Sequence, residues 1–175
     1  GSGEVAVEGV FQAIAGRVGA TKFLGYEATQ ASSKIVALVA DGKETDTVGP
    51  YSTNVAVVTA ETPFYGESGG QVGDVGEIVG AEGRIEIEDT QKPVEGLIVH
   101  QGRVVLGSIS RGESVSLEVD AEARAATVRN HSGTHLLHWT LREVLGPQVS
   151  QAGSRVGPER LRFDFTHDSG LDEEQ

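Results

Sequence analysis

Ser114–Ala123 reads SVSLEVDAEA, and the change of texture inside this stretch decides the fold. As far as Val119 it is a short Val- and Leu-bearing run of the strand-forming kind. At Asp120 a residue suited to capping a helix is followed by Ala121, Glu122 and Ala123, which put an acid in a first helical turn. A β region is therefore expected to end, and an α region to begin, at Asp120.

Behind that boundary lie further Val/Ile-rich runs: Lys34–Val39, Val55–Thr59, Gly76–Val79, Arg84–Ile87 and Gly96–His100. Turn pairs punctuate them at Asp41-Gly42, Gly49-Pro50, Gly69-Gly70, Glu82-Gly83, Gln101-Gly102 and Arg111-Gly112. Strands at this spacing predict an all-β sandwich or barrel, and 24 glycines suit the bulges and corners of a small closed barrel. At the front, Val7, Val10, Phe11, Ile14 and Val18 recur at helical spacing, predicting a short helix over residues 5–18 that ends near Gly19. Ahead of the boundary, Ala-, Leu- and Arg-rich sequence predicts a helix to Leu145, stopped by Gly146-Pro147. Val149–Val156 and Arg160–Thr166 then read as two strands joined at Gly157-Pro158, and residues 169–174 as the start of another helix. The expected class is α+β: a small antiparallel β-barrel followed by a helix and a hairpin.

Composition narrows the function. The formal charge of −12 argues against a broad nucleic-acid surface, which needs Lys and Arg in excess. Locally the balance reverses, since Arg155, Arg160 and Arg162 face only Glu159; this is either a solvated loop or a phosphate contact. Without cysteine there is no disulfide framework and no thiolate metal ligand, which is compatible with a cytosolic protein. No apolar run approaches a bilayer span, and Gly1-Ser2-Gly3 lacks the features of a signal peptide. A chain without methionine, even at position 1, reads as a piece of a longer protein.

Three constellations bear chemistry. His131, His135 and His138 share one helical face, and imidazoles one turn apart can share a metal ion. The same stripe, with Val128, Leu141 and Leu145 nearby, also fits core packing, and no Glu follows His131 to act as a metalloprotease base. Thr62–Gln71 (TPFYGESGGQ) either exposes backbone N–H groups to an oxyanion or forms a β-turn with two glycines at positive φ. Gln151 is a candidate hydrogen-bonding partner for a ligand or a structural amide. Arg162 and Asp164 alternate with Leu161, Phe163 and Phe165 as on a half-buried strand, where two solvent-facing charges are the simpler reading.

Together these segments resemble one family. Thr62–Asp74 (TPFYGESGGQVGD), Asp89–Pro93 (DTQKP), Gly96–Gln101 (GLIVHQ), Asn130–His138 (NHSGTHLLH), Val149–Ser154 (VSQAGS) and Leu161–His167 (LRFDFTH) follow the order found in alanyl-tRNA synthetases. Free-standing editing proteins share several of them, whereas Thr21–Tyr26 (TKFLGY) and the leading helix resemble the bacterial synthetase. The resemblance implies a translation-protein-like barrel over residues 21–119, a linker helix over 1–20 and part of an editing domain over 120–175. The parent would be an alanine–tRNA ligase that uses ATP and magnesium in an adenylation core upstream. Its editing domain would hydrolyse mischarged seryl- or glycyl-tRNA.

The resemblance also implies a zinc site made of a His-x-x-x-His pair and a downstream Cys-x-x-x-His pair. His131 and His135 match the first pair; the second is absent from this cysteine-free sequence, so zinc is not expected to be retained here. Thr134 and Gln151 match editing-pocket positions and are the catalytic candidates. The loop containing Gly66, Ser68, Gly69, Gly70 and Gln71 resembles the motif that helps recognise the wrong amino acid, and Arg162 and Asp164 complete the substrate-binding set. Expected partners are the tRNA specific for alanine and the rest of the synthetase chain, in the cytoplasm, with no membrane and with oligomerisation left open. By itself the chain is expected to adenylate nothing and to deacylate poorly. Two alternatives stand beside this reading: a truncated free-standing editing hydrolase, and a non-catalytic barrel that docks RNA or protein.

Overall fold

A computed structural model of the chain describes residues 2–168 and 170, with side chains from residue 8 onward. The helix expected to start over residues 169–174 falls, Gly170 apart, outside them. The chain forms two compact units, one built from residues up to Glu67 with Gly73–Ala121, the other from Ser68–Val72 with the residues from Glu122 onward.

The first unit opens with α1 (Ser2–Val18), three residues earlier than its spacing predicts. The helix stops at Gly19, whose φ of 76° only glycine adopts freely and whose N–H donates to Ala15 O at 3.0 Å. Short strands β1 (Lys22–Phe23), β3 (Lys43–Thr45), β4 (Thr47–Val48), β6 (Glu61–Thr62) and β10 (Ile109–Ser110) punctuate longer ones. Those longer strands are β2 (Gln30–Ala40), β5 (Val55–Thr59), β7 (Gly76–Val79), β8 (Gly83–Gln91), β9 (Val99–Gly107) and β11 (Ser114–Val119). They close into an antiparallel barrel in the order β2-β5-β9-β8-β7-β11, with β11 returning to pair with β2.

Period-two alternation explains how the barrel fills itself and holds α1. Val55 and Val57 of β5 and Leu38 of β2 join the interior with Ile78, Ile85 and Leu117. Their neighbours Ala56, Val58, Ala37 and Val39 pack instead with Phe11 and Ile14 of α1. All of β5 is therefore buried, and each face of the strand has its own apolar partner.

One turn expectation fails. Gln101-Gly102 lies inside β9, which pairs with Val55 and Ala56 of β5 on one side and with Ile87 and Asp89 of β8 on the other. The glycine serves close approach rather than reversal. A Cβ on Gly102 would stand 1.8 Å from Glu86 O, where the β8–β9 register shifts at Ile87/Asp89. Residues 96–98, expected to begin that strand, precede it.

His100 of β9 is wholly buried and fully partnered. Its Nδ1–H donates to Val57 O at 2.8 Å, so in the neutral ring Nε2 must accept, and Thr62 Oγ1 lies 2.7 Å from it. Thr62 Oγ1 in turn accepts the Phe64 N–H at 3.1 Å, and the Phe64 ring meets the imidazole edge-on. Burial pushes His100 down from 6.5 to about 4, opposed by the bond to Val57.

The second unit consists of α2 (Ala121–Leu145), β12 (Ser150–Val156) and β13 (Leu161–Thr166). The helix begins just after Asp120, as its cap predicts, and ends at Gly146, whose φ is 109° and whose N–H donates to Arg142 O. The two strands form an antiparallel hairpin with a bulge at Gln151/Gly153.

The buried imidazole makes a pH prediction. Its folded pKa lies below the unfolded one, so the unfolded chain takes the proton first and stability falls as pH drops from 6.5 toward 4. Denaturant titrations of wild type and His100→Gln should differ in this window by on the order of 3 kcal/mol of pH-dependent stability. Parallel pH profiles for the two proteins would show that His100 carries no such linkage.

Candidate functional site

In α2, residues three and four apart bring Asn130, His131, Thr134 and His138 to the side facing the hairpin. Thr127, Thr134 and Leu145 are buried on this helix and Leu141 is half-buried, whereas Val128, two turns before His135, is exposed as His135 is. A small cavity of about 100 Å³ sits between helix, hairpin and the Ser68–Val72 turn, lined by His131, Thr134, His135, Gln151, Ser154 and Phe163 among others.

The polar groups in this cavity are partly spent. Thr134 Oγ1 gives its hydrogen to Asn130 O at 2.9 Å, so it meets a guest as an acceptor. Gln151 Nε2 donates to Ser154 Oγ at 2.9 Å, leaving a second N–H and the amide oxygen. Gln151 is exposed, not a buried structural amide. His138 stacks obliquely on Phe163 at 5.1 Å, and its Nε2 is buried without a hydrogen-bond partner, as is His131 Nδ1.

The glycine pair forms the tight turn that was one of its two readings. Gly69 and Gly70 have φ of 59° and 84°, and Ser68 and Gln71 exchange backbone bonds of 3.2 and 3.0 Å across them. The amides of Ser68 and Gln71 are thus used inside the turn. The turn is fastened to β12, since Val156 N–H donates to Gly70 O and Val72 N–H donates to Val156 O. Gly66 belongs to the first unit, against Lys92. Arg162 and Asp164 pair with each other, Nε and Nη2 of the arginine meeting Asp164 Oδ2 at 3.1 and 2.7 Å. This contact holds the exposed guanidinium above its ordinary pKa, and neither residue lines the cavity.

His131 Nε2 and His135 Nε2 converge to 3.0 Å. Two nitrogens bound at about 2.0 Å to one tetrahedral zinc stand about 3.3 Å apart, so this pair fits half of a zinc shell. Among the described residues, no group of three or more His, Cys, Asp or Glu is placed to complete it.

Sequence reasoning missed the role of Asn130. Its side-chain amide donates to Gly157 O at 2.7 Å and Pro158 O at 3.2 Å, pinning the hairpin turn to α2. An Asn followed by a histidine pair gives no local sign of a contact made 27 residues away.

Residues 2–123 match the family of class II (A) tRNA synthetases. The whole chain is 55% identical to an alanine–tRNA ligase of Chelativorans sp. (strain BNC1) and 53% identical to that of Mesorhizobium japonicum, and covers 20% of each. It is 49% identical to that of Anaeromyxobacter dehalogenans, of which it covers 19%. The chain thus spans about a fifth of the length of the curated relatives it matches.

The fastening of the turn can be tested by substitution. In Gly70→Ala the new Cβ would stand 2.6 Å from Ser154 Oγ and 2.7 Å from Ser154 O, at a φ that disfavours alanine. Hydrogen exchange at the Val156 and Val72 amides should speed up about ten-fold or more, corresponding to over 1 kcal/mol, while the barrel amide of Val58 keeps its protection. Unchanged exchange at Val156 would mean the turn is not what holds β12.

Proposed function

This chain belongs to the class II (A) tRNA synthetase family, and from that premise we propose that it is the barrel and first editing segment of an alanine–tRNA ligase. On this reading residues 1–20 are a leading helix and 21–119 the barrel. Residues 120–175, with the Ser68–Val72 turn, are part of a domain that hydrolyses seryl- or glycyl-tRNA. ATP and magnesium serve an adenylation core elsewhere in the parent, and the partners are the tRNA for alanine and the rest of that chain, in the cytoplasm. The observation that carries the reading is the small cavity in which Thr134 and Gln151 flank a converging histidine pair.

The cavity supplies a basis for selection. Serine differs from alanine by a hydroxyl, which an apolar pocket rejects weakly but a hydrogen-bonding pocket can reward. Thr134 Oγ1, its own hydrogen already given to Asn130 O, accepts the hydrogen of the seryl hydroxyl. Gln151 has one N–H left over from Ser154 and offers it to the ester carbonyl, where negative charge grows as water attacks. Alanine leaves Thr134 unpaired. His131 and His135 would hold two positions of a zinc ion, which when bound supplies Lewis acidity or an activated water. Because this chain contributes only those two ligands and no cysteine, it binds zinc weakly and deacylates slowly by itself.

In the full-length parent, Thr134→Val should lower seryl-tRNA deacylation about ten-fold, the worth of one neutral hydrogen bond, with alanine charging unaffected. Deacylation at the wild-type rate would remove Thr134 from the mechanism. For the 175-residue chain, rapid zinc-dependent turnover of seryl-tRNA would overturn its expected inactivity.

A further inference from the structure

The hairpin has a second face that the proposed editing site leaves unused. Along β12 and β13, Ser154, Val156 and Phe163 line the cavity, and the alternating positions Arg155 and Arg162 fall on the opposite side. The strand register puts Arg155 directly across from Arg162, a like-charge pairing that destabilises a hairpin unless something answers it. Asp164 answers Arg162, gripping its Nε and Nη2. Among the described residues no carboxylate pairs with Arg155 or with Arg160 at the turn. This occurs in a chain with 26 acidic residues against 14 basic ones, where a carboxylate partner would be easy to supply.

The arginines, with Glu159 as the one carboxylate among them, border a groove of about 560 Å³ at the hairpin turn, floored by Val72, Pro158 and Leu161. Its frame is held from two directions. Asn130 clamps the carbonyls of Gly157 and Pro158, and Gly157 N–H donates to Arg160 O within the turn. A rigid turn that carries two guanidinium groups without a carboxylate partner among the described residues, Arg155 and Arg160, against a single lining carboxylate suits a single-stranded nucleic acid. The planar fork of Arg matches phosphate oxygens, and unstacked bases lie on apolar or guanidinium surfaces. The rest of this acidic chain would repel such a strand, which concentrates its contacts here.

We propose that this groove holds phosphates of the single-stranded acceptor end of a tRNA, directing the aminoacylated terminus around the hairpin into the cavity on its other face. The proposal rests on the editing reading for the identity of the strand, but its charge arrangement is independent of that reading.

The test is fluorescence anisotropy of the 175-residue chain with an RNA minihelix of an alanine acceptor stem bearing its single-stranded 3′ end, repeated over a salt series. Arg155→Gln/Arg160→Gln should weaken binding about ten-fold at low salt. It should also reduce the slope of log K against log salt by about 1.4, two single-strand phosphate contacts at about 0.7 each. Arg155→Lys/Arg160→Lys should restore the slope, and circular dichroism checks that each variant keeps its fold. An unchanged slope in the glutamine variant, or no binding by wild type at low salt, overturns the groove. Deacylation by the full-length parent separates the two ideas. Arginine-dependent binding in a parent that deacylates nothing keeps the groove and sinks the editing reading; brisk deacylation with an unchanged slope does the reverse.

Discussion

The barrel depends on β2 serving different partners along its length. Its first half, Gln30–Lys34, pairs with β11, and its second half, from Ile35 to Ala40, pairs with β5. The register shift between Ile35 and Ala37 marks where the strand turns from one partner to the other. Without that bend the six strands would be an open sheet with two exposed edges; with it the last strand returns to the first and the principal edges disappear. Closure then sets everything else in the first unit. Interior positions must alternate with exterior ones, and the exterior positions of β2 and β5 are apolar because α1 lies on them. Burying Phe11 and Ile14 there contributes about 1.5–3 kcal/mol per side chain.

The second unit rests on a different balance. A helix and a two-stranded hairpin enclose little apolar volume, and among the described residues only Leu145, Val149 and Val156 of its apolar side chains are buried. A lone hairpin is marginal in water, so this one relies on directional contacts at its two strands' ends. The Ser68–Val72 turn bonds to Val156 on either side, and Asn130 holds the carbonyls of the following turn. The hairpin residues of the candidate cavity, Gln151, Ser154, Val156 and Phe163, depend on these two fastenings. The glycine-rich segment thus serves as an anchor, with the amides of Ser68, Gln71 and Val72 committed.

The fold was legible where local chemistry and tertiary demand agree. Asp120 followed by an Ala-rich run, and Gly146 followed by Pro147, mark helix ends because capping needs only neighbouring residues. Asp41-Gly42 marks a hairpin because both residues take positive φ, 50° and 77°. Gln101-Gly102 looks the same in sequence, yet it lies mid-strand: a glycine required by a neighbour's backbone cannot be told from one required by a turn without the register. At the site, the histidine spacing was legible because it is helix geometry. The commitments of Thr134, Gln151 and Arg162 were not, since their bonds depend on the bulged register and on the exact rotamers of neighbours. Arg162 and Asp164, expected in the substrate-binding set, bond to each other and do not line the cavity.

The histidine pair shows how little of a metal site a helix alone can specify. Spacing of four residues brings two Nε2 atoms to 3.0 Å, where two lone pairs repel unless one proton or one cation lies between them. The helix therefore makes a place for one shared proton or one cation without choosing which. Selecting zinc over a proton takes further ligands, together with acceptors that fix each imidazole through its other nitrogen. His131 Nδ1 is buried with no such acceptor among the described residues. The ring is oriented by its neighbour and by packing, not by an outer hydrogen bond. Whatever occupies this point is held by two converging nitrogens on a single turn of helix, so its affinity is set by the groups that come to complete the shell.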